Sequence, residues 1–134
     1  MIAFVEKTGL MLTLQEVEDC QYVNMGRELA LAIEGEDMTS TGFPIKVLDA
    51  VKDILNSNIQ TDENGTHYVA ITNYNILFEP VLKMNIGRLL DDFRKRMVVV
   101  LKIDRLPVGA VYFPFAGDNT YSIDLKNINY KMIA

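Results

Sequence analysis

The stretch that most constrains this chain is Met97-Val98-Val99-Val100-Leu101-Lys102-Ile103, a nearly unbroken apolar run rich in β-branched residues. A strand with one wet face alternates polar and apolar residues. A run that is apolar at consecutive positions instead fits a strand covered on both faces, as in a parallel sheet. His67-Tyr-Val-Ala-Ile-Thr72 has the same character and follows the turn signal Asn64-Gly65, which predicts a second buried strand. Between the two runs, Ile86, Leu89, Leu90, Phe93 and Met97 recur at helical spacing opposite Arg88, Asp91, Asp92 and Lys95. Strand, amphipathic helix and strand in that order are the unit from which parallel sheets are built.

The rest of the chain extends the pattern. Met1 to Val5 reads as a strand closed by Glu6-Lys7-Thr8-Gly9, and Leu10, Leu14 and Val17 at helical spacing predict a short helix over Leu10 to Asp19. Gln21 to Met25 reads as a brief strand, followed after Gly26 by a helix over Arg27 to Glu34, rich in Leu, Ala and Glu. Pro44 suits the first turn of a further helix running to about Leu55, with Val47, Leu48, Val51, Ile54 and Leu55 on its apolar face. Ile76-Leu77-Phe78 follows the His67–Thr72 strand, and Pro80 prevents an uninterrupted helix there. Ala110 to Phe115 and Thr120 to Leu125 predict two strands around Ala116-Gly117-Asp118-Asn119, expected as an antiparallel hairpin at the sheet's edge. The expected fold is α/β: a three-layer sandwich with a mainly parallel sheet, residues 1–134 forming a single domain.

Composition narrows the chemistry. Cys20 is the single cysteine and His67 the single histidine, which excludes an intrachain disulfide and a Cys/His zinc set and points to a reducing compartment. The net charge of −5 gives no reason to expect a polyanionic partner, although local basic patches remain open. No apolar run approaches the roughly 20 residues of a spanning helix, and the start lacks a basic segment followed by an apolar one. A cytoplasmic location is the expectation.

A sheet of this kind invites a search for a phosphate loop, G-x-x-x-x-G-K-S/T, whose backbone N–H groups cradle phosphates. Lys7-Thr8 are the candidate pair for a nucleotide, but Met1 and Glu6 stand where the two glycines belong, and Glu6 would set a carboxylate against phosphate. A magnesium-holding acid is expected after a hydrophobic strand, yet Thr72-Asn73-Tyr74-Asn75 follow Val69-Ala70-Ile71 and the first acid is Glu79. No catalytic residue and no metal site is assigned, so ATP with magnesium is not the expected cofactor. Cys20 with His67 reads as packing rather than as nucleophile and base. Asp91 and Asp92 are adjacent on an exposed helix face and read as solvated charges. Arg94, Lys95 and Arg96, at the helix-to-strand junction, together with Asn73, are the candidate contacts for a phosphate or for a partner's acid; the plainer reading of the basic trio is a helix C-terminus complementing its dipole.

The block Val69-Ala-Ile-Thr-Asn-Tyr-Asn-Ile-Leu-Phe-Glu-Pro-Val-Leu-Lys-Met-Asn-Ile-Gly-Arg-Leu-Leu90, running into Phe93-Arg94-Lys95-Arg96 and Val98-Val-Val100, resembles the small P-loop protein of BREX-type phage-defence systems, the BrxF-like proteins. Tyr112-Phe-Pro-Phe-Ala-Gly-Asp-Asn-Thr-Tyr121 is similar to that family's C-terminal tyrosine-containing segment, and Tyr22-Val-Asn24 to its second strand. The departures fall on the chemistry: Thr72 and Asn75 stand in place of the family's Walker B acids, and Met1 and Glu6 in place of its loop glycines. The resemblance implies a P-loop-type fold with eroded hydrolytic residues, and hence a non-catalytic, protein-binding accessory subunit of a bacterial or phage-associated defence system. Two alternatives stay open: an NTPase completed by a partner, with Lys7 on phosphate, and a DNA-binding accessory factor using Arg88, Arg94, Lys95 and Arg96.

Overall fold

The computed structural model describes residues 4–79, 82–104, 110–112, 122–124 and 130–133. In chain order the elements are β1 (Gly9–Thr13), β2 (Tyr22–Asn24), α1 (Met25–Ala32), α2 (Phe43–Ser57), β3 (Gln60–Thr61), β4 (His67–Thr72), a 3-10 turn (Asn75–Phe78), α3 (Ile86–Arg94), β5 (Val98–Lys102), β6 (Ala110–Tyr112), β7 (Ser122–Asp124) and β8 (Tyr130–Ile133). The main sheet has the order β2-β4-β5-β1-β8, with β3 paired to β4. Every pairing along that order is parallel; the β3–β4 pairing is antiparallel. The chain is therefore an α/β protein with a mainly parallel sheet. No helix among the described residues is long and apolar enough to cross a membrane.

Alternation along the strands divides the core in two. Leu10, Leu12, Val23, Val69, Ile71, Val99 and Leu101 face one way and pack with Leu29 of α1, Phe43, Val47, Val51 and Leu55 of α2, and Leu89, Leu90 and Phe93 of α3. Helices α1, α2 and α3 thus lie on one face. Met11, Tyr68, Ala70, Val98 and Val100 face the other way, packed among the described residues by Phe4, Cys20 and Tyr22. Tyr22 crosses this second face: its hydroxyl accepts the Val17 N–H at 3.0 Å and lies 3.4 Å from Thr13 Oγ1. Each side of the Met97–Ile103 run is buried, with Val98, Val99 and Val100 fully inaccessible, as consecutive apolar positions require.

The first segment differs from its sequence expectation. Residues 1–3 of the expected Met1–Val5 strand lie outside the described residues; Phe4 and Val5 carry no strand, and Val5 is 94 % exposed. Leu10 to Asp19 is not a helix: Gly9–Thr13 forms β1, between β5 and β8. The helical spacing of Leu10, Leu14 and Val17 competed with the consecutive Leu10, Met11 and Leu12, and a strand paired on both sides buries all three where a helix would expose one flank. Gly9 opens the strand rather than ending one, at a φ of 121° that favours glycine. β6 and β7 pair antiparallel as expected, but as a separate two-stranded sheet; the far edge of the main sheet belongs to β8, which the sequence pattern does not predict. The expected helices over Arg27–Glu34 and Pro44–Leu55 appear as α1 and α2, each shifted by one or two residues, whereas Ile76-Leu77-Phe78 is a 3-10 turn.

Candidate functional site

In an open parallel sheet the natural place for a ligand is the crevice beyond the carboxyl ends of the strands, near the point where the strand order reverses. The register brings Asn24, Thr72, Lys102, Thr13 and Ile133 to that crest. Beyond β4 and β5, Thr72, Asn73, Tyr74, Asn75, Lys102 and Asp104 line a cleft of about 220 Å³. That is below the roughly 300–1,000 Å³ typical of small-molecule sites.

The crest is built by hydrogen bonds within the protein. Asn73 holds φ 51°, a left-handed conformation that asparagine tolerates better than most residues. Its Nδ2 donates to Asn24 Oδ1 at 2.7 Å, and its carbonyl accepts the Gly26 N–H at 2.8 Å. Asn24 Oδ1 also accepts the Arg27 N–H at 3.1 Å, capping α1. The N-terminus of α1 is therefore pressed against the end of β4, and a Cβ on Gly26 would lie 2.7 Å from Asn73 Nδ2 and 3.0 Å from its carbonyl oxygen. Tyr74 donates to the Lys102 carbonyl at 2.8 Å; burial, with the Asp104 charge adding to it, pushes its phenol well above the usual range. Lys102 Nζ lies 3.8 Å from Asp104 Oδ1. Asp104, two residues beyond β5, supplies an acid that the end of β4 lacks, and neither it nor Lys102 is singled out by the sequence pattern. Their signal was present, one residue on either side of Ile103 at the end of a buried strand.

Lys7 and Thr8 do not reach this crest. They precede β1 at the amino end of the sheet, where Gly9 N donates to Met97 O at 3.2 Å. There Thr8 and Arg94 line a shared cleft of about 290 Å³ with Glu6, Tyr130 and Lys131. Its charges are largely spoken for: Lys131 is paired with Glu6 and Arg94 with Asp91, which also holds Lys95 at 3.0 Å. The Lys95 and Arg94 hydrogen bonds keep the Asp91 carboxyl below the usual carboxylate range. Arg96 stacks on Phe93, 4.6 Å from the ring centroid. The basic trio thus lies at the amino end, engaged within its own helix, while Asn73 lies at the carboxyl end; the structure does not bring the four candidate contacts together.

Lys7 and Thr8 do not sit in a phosphate-loop unit among the described residues. The phosphate-loop unit needs a strand, a loop and then a helix whose N–H groups are free for phosphate. The chain leaves β1 into Leu14–Gln21 without a helix, and the first N–H groups of α1 are taken by Asn73 and Asn24. Among the described residues no group of three His, Cys, Asp or Glu side chains is placed to hold a metal. Cys20 and His67 have different partners: burial raises the Cys20 thiol above its ordinary value, with a hydrogen bond to Tyr68 opposing the shift, while exposed His67 lies with Nδ1 3.3 Å from Thr61 Oγ1.

A third and larger concavity, about 470 Å³, lies between α2 and α3, lined by Pro44, Ile45, Leu48 and Lys52 on one side and Lys83, Met84, Asn85, Arg88, Leu89 and Asp92 on the other. Fold and site define the chain as an α/β protein with a parallel sheet, a polar, self-bonded crest and an open interhelical groove. Compared with family models, with curated proteins and with solved structures, it finds no match in any of the three.

Proposed function

We propose that the chain is a non-catalytic, protein-binding accessory subunit on a P-loop-like, three-layer α/β scaffold, serving a bacterial or phage-associated defence system. The observation that carries the reading is the crest: Thr72 and Asn73 end β4 where the resemblance calls for an acid, and the Asn24 and Asn73 amides are bonded to each other and to α1 rather than left open to a ligand. The burial of Ala70, Val98 and Val100 on the face away from the helices supports a covered second face and hence three layers. The defence setting rests on the resemblance carried by Val69 to Leu90 and the strand that follows.

Calorimetric titration of the purified chain with ATP and magnesium is expected to give no binding heat, and phosphate release no higher than that of Lys7→Ala. ATP hydrolysis that is lost on Lys7→Ala overturns the reading. Deleting the gene from a host that carries the defence operon is expected to raise phage plating; unchanged plating removes the proposed setting.

A further inference from the structure

The groove between α2 and α3, about 470 Å³, is larger than the crest cleft and the cleft at the amino end of the sheet, and neither the crest nor the core accounts for it. Pro44, Ile45, Leu48 and Lys52 are spaced as one face of α2, and Asn85, Arg88, Leu89 and Asp92 as one face of α3 and its N-cap. Its floor is apolar: Ile45, Leu48, Met84 and Leu89, with Ile45 66 % exposed. Two neighbouring helix faces with an apolar floor form a trough that the apolar stripe of a third helix fills. From Pro44 to Lys52 the trough runs about 12 Å along α2, enough for about two turns of a bound helix.

Charge selects the occupant. Lys52, Lys83 and Arg88 rim the groove, against Asp92 alone, in a chain whose net charge is −5. The ion pairs formed by described residues, Lys46 with Glu36, Asp91 with Arg94 and Lys95, Lys102 with Asp104 and Lys131 with Glu6, engage none of these three cations. The first turn of α2 opens on the same groove, and its N-cap, Gly42, has no side chain to cap it, so the positive end of that helix adds to the field. Lys83 stands at the rim with φ 50°, an unfavourable backbone state for lysine. An apolar floor is wasted on a phosphate backbone, whereas an apolar stripe flanked by carboxylates satisfies floor and rim together.

We propose that this groove docks an acidic amphipathic helix of a partner protein, with apolar anchors about three and four residues apart on the floor and Asp or Glu beside Lys52, Lys83 and Arg88. This names the partner chemistry of the protein-binding role above and rests on that reading.

The test is selection of a yeast-displayed library of random peptides, each of about 15 residues, long enough for marginal helicity, against the full chain. Enriched peptides are expected to combine Leu, Ile or Met at helical spacing with Asp or Glu flanks. A selected peptide should lose at least tenfold in affinity on Ile45→Glu and on Arg88→Glu, and should weaken as salt rises. Both positions are exposed, so the fold should survive, with circular dichroism as the control; if Ile45→Glu alone unfolds the chain, Arg88→Glu carries the test. Absence of enrichment, enrichment of basic or unpatterned peptides, binding indifferent to Arg88→Glu, self-association lost on Ile45→Glu, or duplex DNA competing for the groove each overturns the proposal. Hydrolysis of ATP dependent on Lys7 would instead strike the accessory-subunit reading, so the two failures are told apart.

Discussion

Gly26→Ala sets two opposing effects against each other at the junction of α1 with the crest. Gly26 lies in the first turn of α1, and alanine in place of glycine in a helix contributes about 0.5–1 kcal/mol. The new methyl group, however, would meet Asn73 Nδ2 at 2.7 Å and Asn73 O at 3.0 Å. The first contact is relieved only by moving an amide bonded to Asn24, and the second involves backbone that accepts the Gly26 N–H. Forcing a methyl group into such a contact costs about 1–3 kcal/mol. The net expectation is a loss of about 1–2 kcal/mol, or about 3–6 °C in Tm for a domain of this size. Urea and thermal unfolding followed by circular dichroism would measure it. Asn73→Gly removes the side-chain half of the clash and suits φ 51°, so in that background Gly26→Ala should cost no more than half as much. A stabilising Gly26→Ala, or an equal cost in both backgrounds, would refute the reasoning that close approach rather than helix propensity decides this position.

Two further outcomes follow from buried ionisable groups. Asp62 accepts N–H groups from Phe4 at 2.8 Å, Thr66 at 2.8 Å and Asn64 at 2.9 Å, and the Phe4 bond above all lowers its carboxyl below the usual range. A lowered folded-state value means that its contribution is present above the unfolded value, about 3.9, and is lost as pH falls below it. The Tm gap between wild type and Asp62→Asn should therefore be full at pH 7 and shrink below about pH 4; a gap that stays constant down to pH 3 would contradict the role of the carboxylate. Burial pushes Tyr68 up to about 12, its hydroxyl donating to Gln60 Oε1 at 3.0 Å. Ultraviolet titration should accordingly show that Tyr68→Phe leaves the tyrosinate signal below pH 11 unchanged, a loss there being the contrary result.

Much of the architecture was legible because it depends on local pattern. The consecutive valines before Lys102, the His67–Thr72 run and the stripe Leu89, Leu90 and Phe93 each state a period and a degree of burial, and all three elements appear where that pattern puts them. Pro44 marked the start of α2 because its missing N–H is harmless only there. The first strand is not legible in the sequence, because Leu10, Leu14 and Val17 also satisfy a helical period, and what decides is pairing with β5 and β8, nearly ninety and well over one hundred residues away in the chain.

The sequence by itself determined that there would be a buried parallel sheet with helices packed on it, and that the motifs of nucleotide hydrolysis would be incomplete. Those are properties of residue type and spacing. Only the tertiary structure decided that Lys7 and Thr8 stand at the amino end of the sheet, away from the crest, and that Lys102 and Asp104 join Asn73 there. Only it set the faces of α2 and α3 side by side with Lys52, Lys83 and Arg88 around an apolar floor. The physical reason is that strand order and helix apposition are chosen by the free energy of burying whole faces against one another, a sum over distant residues that no local window contains.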